Sequence, residues 1–392
     1  AAMLVPAPSA KFFGFLWLCF PLVIIAASKS LPEEERRSEK SKNTVRSYAR
    51  DMWRFFAAHV SEETNFLPPD NYQISPEERT AMRTSPTNIG LYLLSLIAAR
   101  DFDFIDSEKL HFYAEKSGKS IEKLLSWRGH LYNWYDISTL SAIGEPFVSS
   151  VDSGNFVTAL VAFCEGLREY ASQEPRLLSD IALYEKFISR ADFRALYCEE
   201  KRLFYIGYNA KNGTYGSSYY DTFMSEFRTT QYYATAAGFV PPESFFSLSR
   251  LAIGGVGRLG FASWSGTAFE YFMPALLLPH KKGSLSRAAL EYAFRIQEEN
   301  TVSKQAGGHT RRVFGISESG YYNFDSHMNY QYRAFGLEKL ALDPACENGA
   351  CVSPYSSFLM LEYGTDAVLH NLRELEALGM YGKYGFYEAL RL

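Results

Sequence analysis

The chain has 392 residues, of which 47% are hydrophobic and 16% aromatic, and its formal net charge is −4 at pH 7. This length is sufficient for a large core, in one large domain or in two to three ordinary ones. Lysine and arginine residues are scattered rather than clustered, which excludes the basic surface of a nucleic-acid-binding protein.

An uncharged apolar run occupies residues 12–27. Its composition and length are typical of a short transmembrane helix or of a signal-peptide core. Seven lysines or arginines lie in residues 29–50, against one before the run. Because positive charge accumulates on the cytoplasmic side of a membrane helix, this bias favours a membrane anchor over a secretory signal.

The apolar run and the charged residues after it divide the chain into three parts. We predict a membrane anchor at residues 1–28, a juxtamembrane linker at residues 29–47 and one helical domain at residues 48–392. The orientation of the anchor predicts that this domain lies on the cytoplasmic side of the inner (cytoplasmic) membrane.

The domain is predicted to be mostly helical. Ser85 has the chemistry of a helix N-cap and Pro86 that of a first helical residue, and the helix that follows is apolar nearly all round, as a buried helix would be. The helix at residues 156–170 is similar. Residues 180–193 and 285–299 carry charges on one face, as outer helices do. This alternation predicts a double-layered α-barrel, with a plain helical bundle as the alternative.

Long segments rich in glycine, tyrosine, tryptophan and asparagine separate the helices. Loops of that length are usually functional in a compact domain, so we expect them to build a cleft at one end of the barrel. Residues 203–208 have a β-like pattern and predict a small hairpin on the loop face. The segments are residues 127–155, 203–221, 253–268 and 303–335.

Two short segments each place one carboxylate among aromatic residues and small hydroxyls: Glu226 in residues 225–228 and Glu318 in residues 314–322. Sugar rings stack their C–H faces on aromatic side chains, while their hydroxyls need a few placed polar partners. Two carboxylates can supply the acid and the nucleophile or base of glycoside cleavage. The pattern predicts a carbohydrate-cleaving or carbohydrate-transferring site, although Glu226 also has Arg228 as a possible ion-pair partner.

Other residues of these segments are candidate sugar-binding groups. Trp264 is predicted to be a stacking platform, with a core tryptophan as the alternative, and Asp152 either accepts from a sugar hydroxyl or caps a helix. Glu270 follows on a helix among aromatic residues, where we expect it to bond backbone amides or an arginine rather than act in catalysis. The remaining candidates for substrate binding are Tyr132, Trp134, Asp136, Asn155, Asp221, Tyr322, Gln331, Tyr332 and Arg333.

The cysteine and histidine residues indicate neither a disulfide framework nor a metal site. Cys346 and Cys351 are the one close cysteine pair; we favour free thiols in a reducing compartment, with a disulfide as the alternative. His327 near Asp325 is the pair that most resembles a metal site, and without further ligands we interpret it as structural. We predict no metal and no cofactor.

Motifs spread over residues 48–390 resemble the glucoamylase-like cyclization domain of bacterial cyclic β-1,2-glucan synthases. Each motif is short, but all occur in the order that the family has. They are LPPDN at 67–71, RTSPTNIG at 83–90, GHLYNWYD at 129–136, VDSGN at 151–155, SYYD at 218–221, WSGT at 264–267, NYQYR at 329–333 and YGFYEA at 384–389.

The resemblance implies an all-α fold, an (α/α)6 double barrel of six helix pairs, preceded by a transmembrane helix. The family continues beyond Leu392 through a histidine-rich segment and its last barrel helices, so we expect this chain to lack the last helix of the barrel. The resemblance also implies linear β-1,2-glucan as the substrate. The implied partners are the glycosyltransferase and phosphorylase-like domains of a parent synthase and the membrane.

The resemblance further implies that Glu226 is the general acid/base and Glu318 the nucleophile of a retaining transglycosylase that cyclizes linear β-1,2-glucan. Carboxyl groups that act directly in such a reaction lie roughly 5 to 5.5 Å apart. Related β-1,2-glucanases pass the proton through a substrate hydroxyl, which widens that spacing. The alternatives are an endo-β-1,2-glucanase, in which water is the acceptor, and a non-catalytic glucan-binding scaffold.

Overall fold

A computed structural model of the chain describes residues 12, 14, 15, 17–21, 38–255, 258–326, 328–343 and 351–391. The chain divides into two compact units, Ala1–Val45 and Arg46–Leu392. Within the described residues, no helix is both long and apolar enough to cross a membrane. The predicted transmembrane helix is therefore not found there, and most of the predicted anchor and linker lies outside the described residues.

The second unit is rich in helices, as predicted. From residue 38 onward they are α1 (Glu39–His59), α2 (Pro86–Asp101), α3 (Ser107–Ile121), α4 (Ser150–Tyr170), α5 (Leu177–Arg190), α6 (Arg228–Ala236), α7 (Glu243–Phe246), α8 (Ala268–Phe272), α9 (Leu285–Glu299), α10 (Pro354–Leu359) and α11 (Thr365–Ala377).

The helices pack in pairs. Helix α2 packs against α4, α4 against α6 and α8 against α10, while α3 packs against α2, α5 against α4, α9 against α8 and α11 against α10. The local signals at the start of α2 agree with the structure, because the Ser85 hydroxyl accepts a hydrogen bond from Asn88 N–H and Pro86 begins α2. The prediction of a mostly helical domain with closely packed helix pairs agrees with these contacts.

Glycine residues let helices α2, α4 and α6 approach closely. A Cβ atom added at Gly90 of α2 would lie 2.9 Å from the Cβ of Ala159 in α4. One added at Gly154 of α4 would lie 1.7 Å from the Thr230 hydroxyl in α6. Side chains at these positions would push the helices apart, so Gly154 of the VDSGN motif sets the distance between α4 and α6.

The expectation of an all-α fold is wrong, because the segments between helices form many short strands. The reason is that such segments must satisfy their backbone N–H and C=O groups, and here they do so by pairing with one another. The strands are β1 (Tyr72–Gln73), β2 (Arg79–Thr80), β3 (Arg83–Thr84), β4 (Ser126–Trp127), β5 (His130–Leu131), β6 (Asn133–Asp136), β7 (Ala142–Ser149), β8 (Tyr197–Cys198), β9 (Leu203–Tyr205), β10 (Gly207–Asn209), β11 (Thr214–Tyr215), β12 (Tyr219–Tyr220), β13 (Ala252–Gly255), β14 (Arg258–Phe261), β15 (Val302–Ala306), β16 (His309–Val313), β17 (Ser319–Phe324), β18 (Tyr330–Arg333), β19 (Cys351–Val352), β20 (Tyr381–Gly382), β21 (Gly385–Phe386) and β22 (Leu390–Arg391).

These strands form small antiparallel sheets. The largest that is described has five strands in the order β11-β10-β7-β6-β3, and a three-stranded sheet has the order β12-β9-β8. The hairpin predicted at residues 203–208 is not formed, since β9 and β10 belong to these two different sheets. Cys164, Cys198 and Cys351 are free thiols, whereas Cys346 lies outside the described residues, as does His327.

Candidate active site

Glu226 lies in the turn that leads into α6, and buried aromatic rings hold this turn in place. The ring of Phe227 stacks on that of Tyr220 at a centroid distance of 4.2 Å and an interplanar angle of 5°. Phe227 also packs against Phe204 at 5.1 Å. The Ser225 hydroxyl accepts a hydrogen bond from Phe227 N–H at 3.2 Å. The backbone on both sides of Glu226 is thereby fixed.

The Glu226 side chain has no partner in the part of the chain that the structure describes. Its carboxyl makes no hydrogen bond and no ion pair with any described residue, and it remains partly exposed. The alternative of an ion pair with Arg228 is wrong: that guanidinium is buried and donates to the Tyr271 carbonyl at 2.7 Å. The Glu226 carboxyl is therefore available to an incoming ligand.

Burial raises the pKa of Glu226 well above its ordinary value, and repulsion from the carboxylates of Glu318, Asp152 and Glu270 adds to the effect. Low polarisability around a carboxyl disfavours its charged form, and so does a neighbouring negative charge. Both effects favour the protonated form of Glu226. The repulsion also shows that the structure brings Glu226 and Glu318 together, although they are far apart in sequence.

Glu318 is the last residue before β17, and two hydroxyl groups hold its carboxyl. Thr267 donates from its hydroxyl to Glu318 Oε1 at 3.1 Å. Tyr332, which lies opposite Gly320 in the β17–β18 pair, donates to Glu318 Oε2. Both donors come from other elements of the fold, since Thr267 is the N-cap of α8 and Tyr332 lies in β18.

The pKa of Glu318 is raised to about 7, with burial as the largest cause. The hydrogen bonds from Tyr332 and Thr267 favour the charged form and so oppose this rise, while the charge of Glu270 adds to it. No comparable donors act on Glu226 among the described residues. The two carboxyl groups therefore titrate apart, with Glu318 as the more acidic member.

The backbone that carries Glu318 is tied to three other elements. The side-chain amide of Gln297 in α9 donates to the Ile316 carbonyl and accepts from Ile316 N–H, both at 2.9 Å. The Tyr355 hydroxyl of α10 donates to the Glu318 carbonyl at 2.8 Å. The Ser317 hydroxyl accepts from Phe269 N–H of α8 at 2.9 Å. These bonds fix the position from which the Glu318 carboxylate acts.

Asp152 lies on the Glu226 side of the site, in the first turn of α4. Its carboxyl accepts from the Thr87 hydroxyl at 2.6 Å and from the Asn133 amide at 2.9 Å. Asn155 donates to the same Thr87 hydroxyl at 3.2 Å. The capping alternative for Asp152 is wrong, since Ser149 is the N-cap and accepts from Asp152 N–H. Asp152 is partly exposed and carries charge close to Glu226.

Glu270 has the structural role that its sequence context predicts. Its carboxylate accepts from the Ser263 hydroxyl at 2.9 Å, from Ser265 N–H at 3.2 Å and from Thr267 N–H at 3.0 Å. These bonds hold the loop that carries Trp264 and Thr267. Trp264 is 43% exposed, which excludes the alternative of a core tryptophan.

The remaining candidates for substrate binding differ in exposure and in their contacts with the protein. Tyr132 and Trp134 are partly exposed, and the Arg83 guanidinium lies 5.3 Å from the centre of the Trp134 ring. Asp136 accepts from the N–H groups of Ser138 and Thr139 in its own turn, and none of these bonds connects it to Glu226 or Glu318.

Asp221 also serves local structure. Its carboxyl accepts from the Thr222 hydroxyl at 3.0 Å, and its carbonyl accepts from Ser249 N–H. On β18, Gln331 is partly exposed and Arg333 lies over the Tyr321 ring at 5.1 Å. Tyr322 lies in β17, and its side chain is outside what the structure describes.

Sequence reasoning missed three residues of the site. Thr267 and Tyr355 hold Glu318, as described above. The Tyr220 ring supports Phe227, and its hydroxyl lies close to the carboxylates, since burial and then the charges of Glu226, Asp152 and Glu318 raise its pKa well above the usual value. The SYYD motif already contained Tyr220, and the WSGT motif contained Thr267.

Replacing Tyr332 with phenylalanine is expected to shift the acidic limb of the pH profile of kcat/KM. Without the hydroxyl that favours the charged form of Glu318, its pKa rises further, so the ionised carboxylate is reached only at higher pH. We expect an upward shift of about one pH unit. Tyr330→Phe is the matched control, because Tyr330 lies on the same strand and donates to the Ser75 carbonyl instead. An acidic limb that stays in place would contradict the role of Tyr332.

In the part of the chain that the structure describes, no group of three or more His, Cys, Asp or Glu residues has an arrangement that could hold a metal ion.

No protein-family model matches the chain. Over 96% of its length the chain is 28% identical to the cyclic β-(1,2)-glucan synthase NdvB of Rhizobium meliloti, and it spans 18% of the length of that protein.

Solved structures with a similar fold include a candidate glucoamylase from Bacteroides fragilis, with a TM-score of 0.71 and 15% identity over 92% of this chain and 87% of that one. An endo-β-1,2-glucanase from Chitinophaga pinensis with sophorotriose and glucose has a TM-score of 0.69 and 14% identity, over 90% of this chain and 86% of that one. The endo-β-1,2-glucanase from Talaromyces funiculosus with sophorose has a TM-score of 0.70 and 14% identity, over 89% of this chain and 79% of that one. At these identities the likeness establishes the fold. The chain is thus similar to one segment of a cyclic β-1,2-glucan synthase, and it has the helix-rich, glucoamylase-like fold of the β-1,2-glucanases, as its motifs predict.

Proposed function

We propose that this chain is a glycoside-hydrolase-type enzyme that cyclizes linear β-1,2-glucan by retaining transglycosylation, with Glu226 as acid/base and Glu318 as nucleophile. The observation that carries the proposal is the pair of interacting carboxyl groups with separated pKa values. Burial and neighbouring charges favour the protonated form of Glu226, whose carboxyl has no partner among the described residues, and Glu318 is the more acidic group and is held by two hydroxyls. Retaining enzymes need one protonated and one ionised carboxyl group.

In the first step, Glu318 attacks the anomeric carbon of a glucosyl unit and forms a covalent ester. The bond to the glycosidic oxygen breaks, and that oxygen receives the proton of Glu226, directly or through a substrate hydroxyl. The leaving group is the reducing-end fragment of the glucan. The exposed Trp264 and Tyr332 rings and the partly exposed Trp134 ring are suited to hold glucosyl units by stacking.

In the second step, the 2-hydroxyl at the non-reducing end of the same chain attacks the anomeric carbon of the ester. Glu226, now ionised, removes the proton from this hydroxyl, and Glu318 leaves as a carboxylate. Two inversions give net retention, and the product is a ring of β-1,2-linked glucosyl units. The protonation states of both carboxyl groups are thereby restored.

The second candidate is an endo-β-1,2-glucanase, in which water replaces the glucan hydroxyl in the second step. The similarity in fold to endo-β-1,2-glucanases favours it. The similarity to a segment of a much longer synthase favours cyclization. We propose on the same ground that glycosyltransferase and phosphorylase-like domains of a parent synthase are the partners of this chain, at the inner membrane with the catalytic domain on the cytoplasmic side.

Incubation of the protein with linear β-1,2-glucan distinguishes the two reactions. Cyclization is expected to give products without a reducing end that resist an exo-acting β-glucosidase, each lighter by one water than the linear chain with the same number of glucosyl units. New reducing ends without such rings would overturn cyclization and leave the hydrolase. No change in the glucan under any condition in which the protein is folded would overturn both. Glu122→Gln, at the exposed end of α3, is a control that is expected to keep the parent activity.

A further inference from the structure

We propose that Glu388 binds substrate, with its carboxyl accepting hydrogen bonds from glucosyl hydroxyls on the Glu318 side of the cleft. This inference rests on the proposed function, because it assigns a further substrate-binding residue to the same site. Glu388 lies in the YGFYEA segment, in a part of the chain that is remote in sequence from both Glu226 and Glu318.

Backbone pairing brings the segment that contains Glu388 to the site. Strand β22 pairs with β19, with Leu390 opposite Val352. Val352 in turn forms an antiparallel bridge with Ile316, two residues before Glu318. Leu390, Val352 and Ile316 are therefore neighbours across three adjacent backbone segments. This arrangement places Glu388, two residues before Leu390, beside the backbone that carries the proposed nucleophile.

The Glu388 side chain reaches the strand of Glu318 directly. Gly320 N–H, two residues after Glu318, donates to Glu388 Oε1 at 3.0 Å. A Cβ atom added at Gly320 would lie 3.6 Å from Glu388 Cγ, so the side chain lies against this glycine. Gly320 is paired with Tyr332, whose hydroxyl donates to Glu318. Glu388 and Glu318 are thus both anchored to one strand pair.

The Tyr355 hydroxyl connects Glu388 to both proposed catalytic groups. The carboxylates of Glu318, Glu388 and Glu226 all act on this hydroxyl and contribute to its raised pKa, after burial as the main cause. The charges of all three carboxyl groups thus act on one half-buried tyrosine. Glu388 belongs to the same cluster as the residues that we propose to carry out the reaction.

Glu388 makes few polar contacts with the described residues. It is exposed, it forms no ion pair with a described cation, and its Oε2 atom has no hydrogen-bond partner among the described residues. A carboxyl group has about four acceptor sites, and a single backbone N–H uses one of them. The remaining acceptors suit a neutral ligand with many hydroxyl groups, which does not need a cation to neutralise it.

The surroundings of Glu388 have the composition of a sugar subsite. Asp70 lies close enough for its charge to act on Glu388. Asp70 accepts from Arg83 and from Asn88, and Arg83 lies over the Trp134 ring. Asp70 thus links Glu388 to acceptors, donors and a partly exposed aromatic face, which is the set that a glucosyl unit requires.

Binding measurements in a Glu226→Gln background test this inference, because no turnover then interferes. Linear β-1,2-glucan oligosaccharides are titrated by calorimetry into Glu226→Gln alone and into Glu226→Gln combined with Glu388→Ala, Glu388→Gln or the control Glu122→Ala. We expect Glu388→Ala to raise Kd by roughly tenfold to a hundredfold, the range for the loss of a hydrogen bond to a charged group. Glu388→Gln keeps an oxygen for Gly320 N–H and is expected to raise Kd by a smaller factor with an unchanged Tm.

The outcomes separate three interpretations. A Kd that neither Glu388 variant changes overturns this inference and leaves the proposed function intact. A lower Tm for Glu388→Ala with an unchanged Kd for Glu388→Gln assigns Glu388 only to bracing the end of the chain, which also overturns it. Folded Glu226→Gln that binds no β-1,2-glucan overturns the proposed function, and this inference with it. If Glu388→Ala does not fold, the Glu388→Gln variant decides.

Discussion

Replacing Glu318 with alanine is expected to lower kcat on β-1,2-glucan by about 10⁴-fold or more, as the loss of a covalent nucleophile commonly does. Glu318 is the more acidic member of the pair, and the hydroxyls of Thr267 and Tyr332 point its carboxylate in one direction. Of the carboxylates that act on Glu226, Glu318 is the one held by two side-chain hydroxyls among the described residues. Without the Glu318 carboxylate the glycosyl ester cannot form, and the remaining residues provide only binding and proton transfer.

Rescue with azide tests whether Glu318 acts as the nucleophile, which a loss of activity alone does not show. In the Glu318→Ala variant, azide can enter the space of the missing carboxylate. It then attacks the anomeric carbon of an aryl β-sophoroside from the face that the Glu318 carboxylate would attack. The aryl alcohol leaves, and the product is an α-glycosyl azide, inverted relative to the substrate. Thr267→Ser, which keeps the hydroxyl donor, is the conservative control and is expected to retain turnover. A β-glycosyl azide from Glu318→Ala would contradict its assignment as the nucleophile.

Replacing Glu226 with glutamine is expected to lower kcat by about 10²- to 10⁴-fold, the usual contribution of general acid–base catalysis. The glutamine has nearly the same shape but has no proton of suitable acidity. Binding of the glucan should persist. The Tm at neutral pH should not fall, because the substitution also removes a carboxyl group that burial and the charge of Glu318 disfavour in its ionised form.

Azide gives the opposite stereochemistry for Glu226. In Glu226→Ala with the same aryl β-sophoroside, the ester on Glu318 still forms because the aryl alcohol needs little protonation. Azide then replaces the substrate hydroxyl in the second step, which gives a β-glycosyl azide with retained configuration. Turnover that is unchanged in both Glu226→Gln and Glu318→Ala would support the non-catalytic glucan-binding scaffold and overturn the enzyme assignment.

The pair also predicts how activity depends on pH. The active form has Glu226 protonated and Glu318 ionised, so activity requires a pH above the pKa of Glu318, about 7, and below the higher pKa of Glu226. The profile of kcat/KM should therefore be bell-shaped, and its two limbs belong to the coupled pair rather than to either residue alone. This is the profile whose acidic limb the Tyr332→Phe variant is expected to move.

Local sequence signals were sufficient for the helices and for one part of the site. The serine and proline before α2 act within one turn, and an apolar surface all round a helix requires burial, so these features can be seen without knowledge of the fold. Glu270 is a similar case. A carboxylate three residues after Thr267 forms a capping box with it, which is a contact between near neighbours.

The strands were not visible in the same way. Most have two to five residues, too few for an alternating pattern, and their partners lie in other loops. Residues 203–208 illustrate the problem: the pattern indicated strands, but the partner of each is set by the tertiary structure and not by the turn between them. The membrane anchor predicted from residues 12–27 has no counterpart among the described helices.

For the two glutamates, too, the sequence determines some properties and the tertiary structure determines others. Their aromatic and hydroxyl-rich surroundings, and the order of the family motifs, were properties of the sequence and were enough to choose Glu226 and Glu318. Which of them holds the proton depends on distant groups: Thr267 and Tyr332 act on Glu318, Arg228 turns away from Glu226, and each carboxylate repels the other. Hydrogen bonds and charge repulsion depend on distances in space, so only the folded chain decides them, whereas helix caps and apolar surfaces are set by residues within a few positions of one another.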